Sequence, residues 1–210
     1  MGLLKARVAA VPAAIANPGE SHDLATLLDR LAAPDASVRR GAARALRRHE
    51  AAVPELAAAL SHEPERPVQQ AVIGALIEIA TLPAIDALVE LLPSEDAWLR
   101  NAALEALQAI GPAALASVHA RLTDPDPRTR ISVVVTLSGL PSDEVEALLV
   151  DMIEHETDVN VLAAIIEALD LVGGPAALPA LGHFMDSTDS DPFLVFAAGS
   201  VHARLVKGAG

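Results

Sequence analysis

A chain of 210 residues, 52% of them hydrophobic, is long enough for one or two ordinary cores and too apolar for general disorder. With one Trp, three Phe and no Tyr, its core must be built from Ala, Leu, Val and Ile, which favours closely packed helices over a β-sandwich. The absence of Cys excludes a disulfide framework, a thiolate zinc site and a cysteine nucleophile. The net charge of −13 is divided as +3 over residues 1–50 and −16 over the remainder, so most of the surface repels nucleic acid and anionic membrane.

The first twenty residues, MGLLKARVAAVPAAIANPGE, combine two basic residues with a short apolar run and an Ala14-Ile15-Ala16 triplet that loosely resembles a signal-peptide cleavage site. Pro12 interrupts the run, and the reading adopted is a helical segment over 1–20 capping the first repeat. No run approaches the ~18 apolar residues of a spanning helix. The chain is therefore expected in the cytoplasm, without membrane contact.

From there the sequence repeats. Leu46, Leu76, Leu107, Leu137, Leu169 and Val201 mark equivalent points at spacings of 30, 31, 30, 32 and 32, a period that signals a solenoid of units buried only by their neighbours. The units are about 21–51, 52–81, 82–111, 112–140, 141–173 and 174–206, followed by a tail over 207–210. Each opens with a first helix, such as that carrying Leu82, Ile85, Leu88, Leu91 and Leu92. Pro often stands in its first turn, as Pro54, Pro83, Pro112 or Pro175, where a missing N–H costs little. An acidic loop then supplies an N-cap, Asp35, Asp96, Asp126 or Asp158, with Glu65 a poorer cap in the second unit. Asp96–Gly111, DAWLRNAALEALQAIG, is the clearest second helix, with Leu99, Ala103, Ala106, Leu107 and Ile110 at helical spacing and Gly111 placed to end it. Val133-Val134-Val135 favours a strand on propensity alone, but its phase assigns it to a helix. In the sixth unit Phe193, Leu194, Val195 and Phe196 cannot all face one neighbour. Phe193 and Phe196 are read as a cap or an interface for a second copy.

The words LRNAALEAL from Leu99 and VRRGAARAL from Val38 resemble the HEAT-like repeats of bacterial and phycobilisome-lyase type, whose motif runs D-x-x-V-R-x-x-A-A-x-A-L. The resemblance implies an all-α, right-handed α-solenoid of about six two-helix repeats, with second helices on the concave face. It also implies a ladder of Asp and Arg between units, here Asp35, Arg39, Asp96, Arg100, Asp126 and Arg130. Gln69, Leu162 and Leu194 stand where the motif wants Arg.

Three His-Glu pairs, His49-Glu50, His62-Glu63 and His155-Glu156, invite comparison with deoxyhypusine hydroxylase, a HEAT-like enzyme that holds iron with such pairs. Their phase differs: His49 ends a helix, while His62 and His155 fall in loops three repeats apart. They are read as loop and capping residues, with no metal, cofactor or catalytic residue expected. Asp186, Asp189 and Asp191 lack the Gly and distal Glu of a calcium loop. The basic cluster Arg39, Arg40, Arg44, Arg47 and Arg48 occupies one helix only, which suits an acidic protein segment better than nucleic acid.

Solvent-side positions of successive second helices run from Arg40, Arg44 and Arg48 through Gln70, Asn101 and Glu105 to Ile131 and Val135, basic, then polar, then apolar. Such a surface suits a protein or peptide partner, with Trp98 a ridge residue or an anchor. The expected function is a non-enzymatic scaffold or adaptor. The alternatives are a chromophore lyase or chaperone like the phycobilisome-lyase relatives, and a metal hydroxylase.

Overall fold

The computed structural model describes residues 23–187 and 191–208. The segment 1–20 read as a cap lies outside them, as does Asp189. Among the described residues twelve α-helices fall into six consecutive pairs: α1 (Leu24–Leu31) with α2 (Ala36–Ala45), α3 (Val53–Leu60) with α4 (Arg66–Ile79), and α5 (Leu82–Val89) with α6 (Ala97–Ile110). The remaining pairs are α7 (Leu115–His119) with α8 (Pro127–Ser138), α9 (Asp143–His155) with α10 (Val159–Val172), and α11 (Leu178–Asp186) with α12 (Pro192–Gly208). No strand occurs among the described residues. Each second helix packs on the next, from α2 through α4, α6, α8 and α10 to α12, so the fold is an all-α solenoid.

The apolar stripe of each second helix carries the stack. Leu46, Leu76, Leu107, Leu137 and Leu169 are completely buried, and Val201 nearly so. Val133 and Val134 lie fully buried inside α8, so packing overrides their strand propensity. Leu82, expected on the core face of its helix, is 60% exposed; Ile85, Leu88 and Leu92 carry that burial instead.

The loops are set by their caps. Asp35, Asp96, Asp126 and Asp158 each accept one or two backbone N–H groups from the first turn of the following helix, while Glu65 accepts none. Asp191 does the same for the N–H groups of Phe193 and Leu194, which fixes the register of the sixth unit. Counted from this cap, Leu194 matches Val161, and both are buried. Val195, not Leu194, therefore holds the position occupied elsewhere by Arg39, Arg100 and Arg130.

Two helices end through positive φ. Gly111 takes φ +80° and ψ −147° after α6, a conformation close to glycine-only territory and outside the compact left-handed region expected of it. Ala80 ends α4 in the left-handed region at φ 48° and ψ 24°, where its Cβ is a burden. Among the described residues no helix is long and apolar enough to cross a membrane.

Candidate functional site

Two of the contacts between units use a different acid from the one the motif implied. Arg39 donates Nε and Nη2 to the carboxylate of Glu63 at 2.7 and 2.8 Å, and Arg130 does the same to Glu156 at 2.7 and 2.9 Å. Each Glu stands two residues before the cap of the following unit, where it also accepts the backbone N–H of the cap residue, Glu65 or Asp158. The Asp caps accept from their own helices, and the one that also meets an arginine of a neighbouring unit among the described residues, Asp96, is reached by Arg66 and not by an arginine of the motif's position. Ser94 and Asp124 occupy the matching place in the third and fourth units and also accept their cap's N–H, with shorter side chains.

The Arg position has a second duty. Arg39, Arg100 and Arg130 donate Nη1 to the carbonyl six residues earlier, on Ala33, Ser94 and Asp124, at 2.9, 2.7 and 2.7 Å. Gln69 keeps this local bond, from Nε2 to the Glu63 carbonyl at 2.7 Å, without reaching the third unit. Arg66 makes that crossing instead: one Nη lies 2.7 Å from Asp96 Oδ2, the other donates to Gln69, and the guanidinium sits 4.8 Å above the Trp98 ring. Arg66 was missed in the sequence because it flanks the poor cap Glu65. The available signal was its place one turn from Gln69, opposite the first turn bearing Trp98.

These pairs set the charge states. The Arg39 hydrogen bonds hold the Glu63 carboxyl below the ordinary carboxylate range against the opposing effect of burial. Burial pushes Glu156 upward, but Arg130 and the N–H groups of Asp158 and Thr157 outweigh it and leave the group lowered. Arg66 lowers Asp96 in the same way. The Glu members of two His-Glu pairs are thus committed to arginine. Their histidines turn to helix carbonyls, His62 Nδ1 lying 3.3 Å from Ala58 O and His155 Nδ1 2.8 Å from Asp151 O. Among the described residues no group of three His, Asp or Glu side chains converges in metal-binding geometry.

A groove of about 870 Å³ crosses the second helices α2, α4 and α6. Arg44, Gln70, Trp98, Asn101 and Glu105 line it, together with Arg47 and Glu78, which face each other at 3.5 Å. Gly74 leaves its floor open, with nothing within 4 Å of where a Cβ would stand. Arg40 is half-buried beside this groove and Arg48 exposed beyond it, in the 3-10 turn Leu46–Arg48. Ile131 and Val135 lie on α8, outside these walls: Ile131 is half-buried against the core, Val135 is 40% exposed, and the Val135 carbonyl accepts from Gln108 Nε2. Phe193 and Phe196 are each 74% exposed, two and five residues after Asp191, the positions that Trp98 and Asn101 hold after Asp96.

Helix pairs that find burial only against their neighbours, and expose a groove along one layer, define a helical-repeat protein. The chain belongs to the HEAT repeat family, whose HEAT repeats model matches residues 24–108 and 115–198. Among solved structures it is similar to the archaeal HEAT-like repeats protein from Thermococcus onnurineus NA1, at 16% identity and TM-score 0.48, over 89% of this chain and 88% of that one. It is also similar to the complex of CpcE and CpcF of phycocyanin lyase from Nostoc sp. PCC7120, at 19% identity and TM-score 0.41, over 95% and 100% of the two chains. An engineered protein aligns at 22% identity and TM-score 0.41, over 90% and 98%. No curated protein matches the chain.

Proposed function

We propose that the protein is a non-enzymatic adaptor of the cytoplasm that holds a segment of a partner protein along its second helices. The observation that carries this reading is the convergence of Arg44, Gln70, Trp98, Asn101 and Glu105 on one open groove. The side-chain amides of Gln70 and Asn101, one unit apart at the same helix position, make no hydrogen bond to a described residue, and both side chains are exposed. Their amides can donate to and accept from a peptide backbone, while Arg44 supplies charge and Trp98 an apolar wall.

The test is affinity capture from cells of the source organism, comparing the native chain with Asn101→Arg and Glu105→Arg, both exposed positions. Loss of a specific captured protein, with helical circular dichroism unchanged, is the expected result. An identical set of captured proteins from native and variant chains would remove the groove from the account.

A further inference from the structure

We infer that the partner segment is bipartite: an acidic stretch held by Arg40, Arg44 and Arg48, and a cluster of large apolar side chains held by Phe193 and Phe196 at the other end of the same face. This rests on the adaptor reading and specifies its ligand. The first station is a row spaced four residues apart along α2 and the turn after it, about 6 Å per step. None of the three guanidiniums has a hydrogen bond or ion pair to a described residue, although the whole chain carries net charge −13. Arg47 beside them faces only Glu78. Cations without a described partner on a protein of net charge −13 favour a carboxylate-rich ligand at this row, since the chain's overall charge repels such a ligand elsewhere.

The second station follows from the register set by Asp191. The fifth residue after each cap is Arg40, Gln70, Asn101, Ile131, Ala163 and Phe196 in turn, a row passing from cation through amide and aliphatic to aromatic. Gln70 and Asn101 of that row line the groove, and Trp98, the equivalent of Phe193, lines it too. Phe193 and Phe196 thus continue the binding face. Trp98 is covered by Arg66, whereas Phe193 and Phe196 remain 74% exposed. Aromatic side chains this open in a solvated row are hot-spot material for an apolar ligand.

The geometry also fixes a length. Six neighbouring helices at about 8–10 Å per step place the two stations about 40–50 Å apart. An extended segment covers that in about 12 to 15 residues, and a helical one needs about 30.

The experiment uses fluorescence anisotropy with three labelled peptides: an acidic half of consecutive glutamates, an apolar half of Leu and Phe, and both joined by a flexible Gly/Ser spacer of about 60 residues, whose r.m.s. span of about 43 Å matches the separation of the stations. The joined peptide is expected to bind at least about tenfold more tightly than either half, because the second contact becomes intramolecular. High salt should weaken the acidic half alone. Arg40→Glu with Arg44→Glu should reduce the joined peptide to the affinity of the apolar half, and Phe196→Ser to that of the acidic half, with circular dichroism confirming the fold. If the joined peptide binds no better than the acidic half, or Phe196→Ser changes nothing, the bipartite ligand is overturned while the adaptor reading survives. If neither half nor the joined peptide binds, the bipartite ligand is overturned, and the capture experiment decides the adaptor reading separately. A DNA duplex that displaces the acidic half more readily than unlabelled peptide does, or sedimentation showing a dimer lost in Phe196→Ser, also overturns it, in favour of nucleic acid or a second copy.

Discussion

Arg130 and Glu156 join the fourth unit to the fifth through two parallel hydrogen bonds, with side chains only 15% and 7% exposed. Arg39 and Glu63 repeat the arrangement between the first and second units. These are the seams where second helices pack most extensively, α2 along α4 and α8 along α10. Elsewhere the Arg or its Glu is missing, and the groove runs from the clamped seam between α2 and α4 across the unclamped one between α4 and α6.

Replacing Glu156 by Ala leaves Nε and Nη2 of Arg130, and the N–H groups of Thr157 and Asp158, without their acceptor, while Nη1 keeps the Asp124 carbonyl. The expected loss is about 2 to 3 kcal/mol, somewhat below that for breaking a fully buried pair. Urea unfolding of the variant checks it. A loss no larger than that from removing an exposed surface charge would show that the clamp is incidental.

Acid should loosen the stack through these carboxylates. Glu63, Glu156 and Asp96 are all held below their ordinary range in the folded chain, so the unfolded chain takes up protons first as pH falls. Their stabilisation is complete above the unfolded carboxylate value, about 4.3 for Glu, and drains away below it as pH passes through the folded values. Urea midpoints should hold from neutrality to about pH 5 and then decline. Glu63→Gln combined with Glu156→Gln should start lower and decline less steeply. Parallel declines in the two proteins would assign acid sensitivity to other groups.

Ala80 and Gly111 make a reciprocal pair of tests. Ala80→Gly relieves a left-handed alanine and should raise stability by about 0.5 to 1 kcal/mol. Gly111→Ala forces a Cβ onto φ +80° and should lower it by more than about 1 kcal/mol, although no neighbour lies within 4 Å of the added methyl. Thermal denaturation distinguishes them by sign.

What the sequence made legible was what local chemistry controls. An Asp two or three residues before an apolar stripe caps its own helix whatever the rest of the chain does, and the leucine at a fixed distance after it is buried. Asp35, Asp96, Asp126 and Asp158 were legible for that reason, as was the ruler ending at Leu169. The clamps were not, because they depend on side-chain reach across a seam: Glu63 and Glu156 span it, and Asp124 at the matching place bonds Arg121 instead. The register of the last unit was obscured by four consecutive apolar residues, and Asp191 resolved it by capping. Of the site residues, Arg44, Gln70, Trp98, Asn101 and Glu105 share one groove because helix position determines which face a residue shares, whereas Arg40, also on α2, is outside its lining. Ile131 followed the same position, yet is half-buried, because depth depends on how closely neighbouring helices approach.

The uneven distribution of clamps also governs the order in which the molecule comes apart. The last unit presents Val195 where an arginine would grip; its polar ties to the fifth are Arg204, on the exposed carboxylate and backbone of Asp170 and on the Leu169 carbonyl, and the Glu146 carboxylate of α9, which accepts the N–H groups of Gly174 and Ala177. In a linear stack each unit is only as secure as its neighbour contact, so opening is cheapest where that contact is thinnest. Amide exchange in α11 and α12 should then outrun that in α8 and α10, and the aromatic end of the proposed binding face would be the part that breathes.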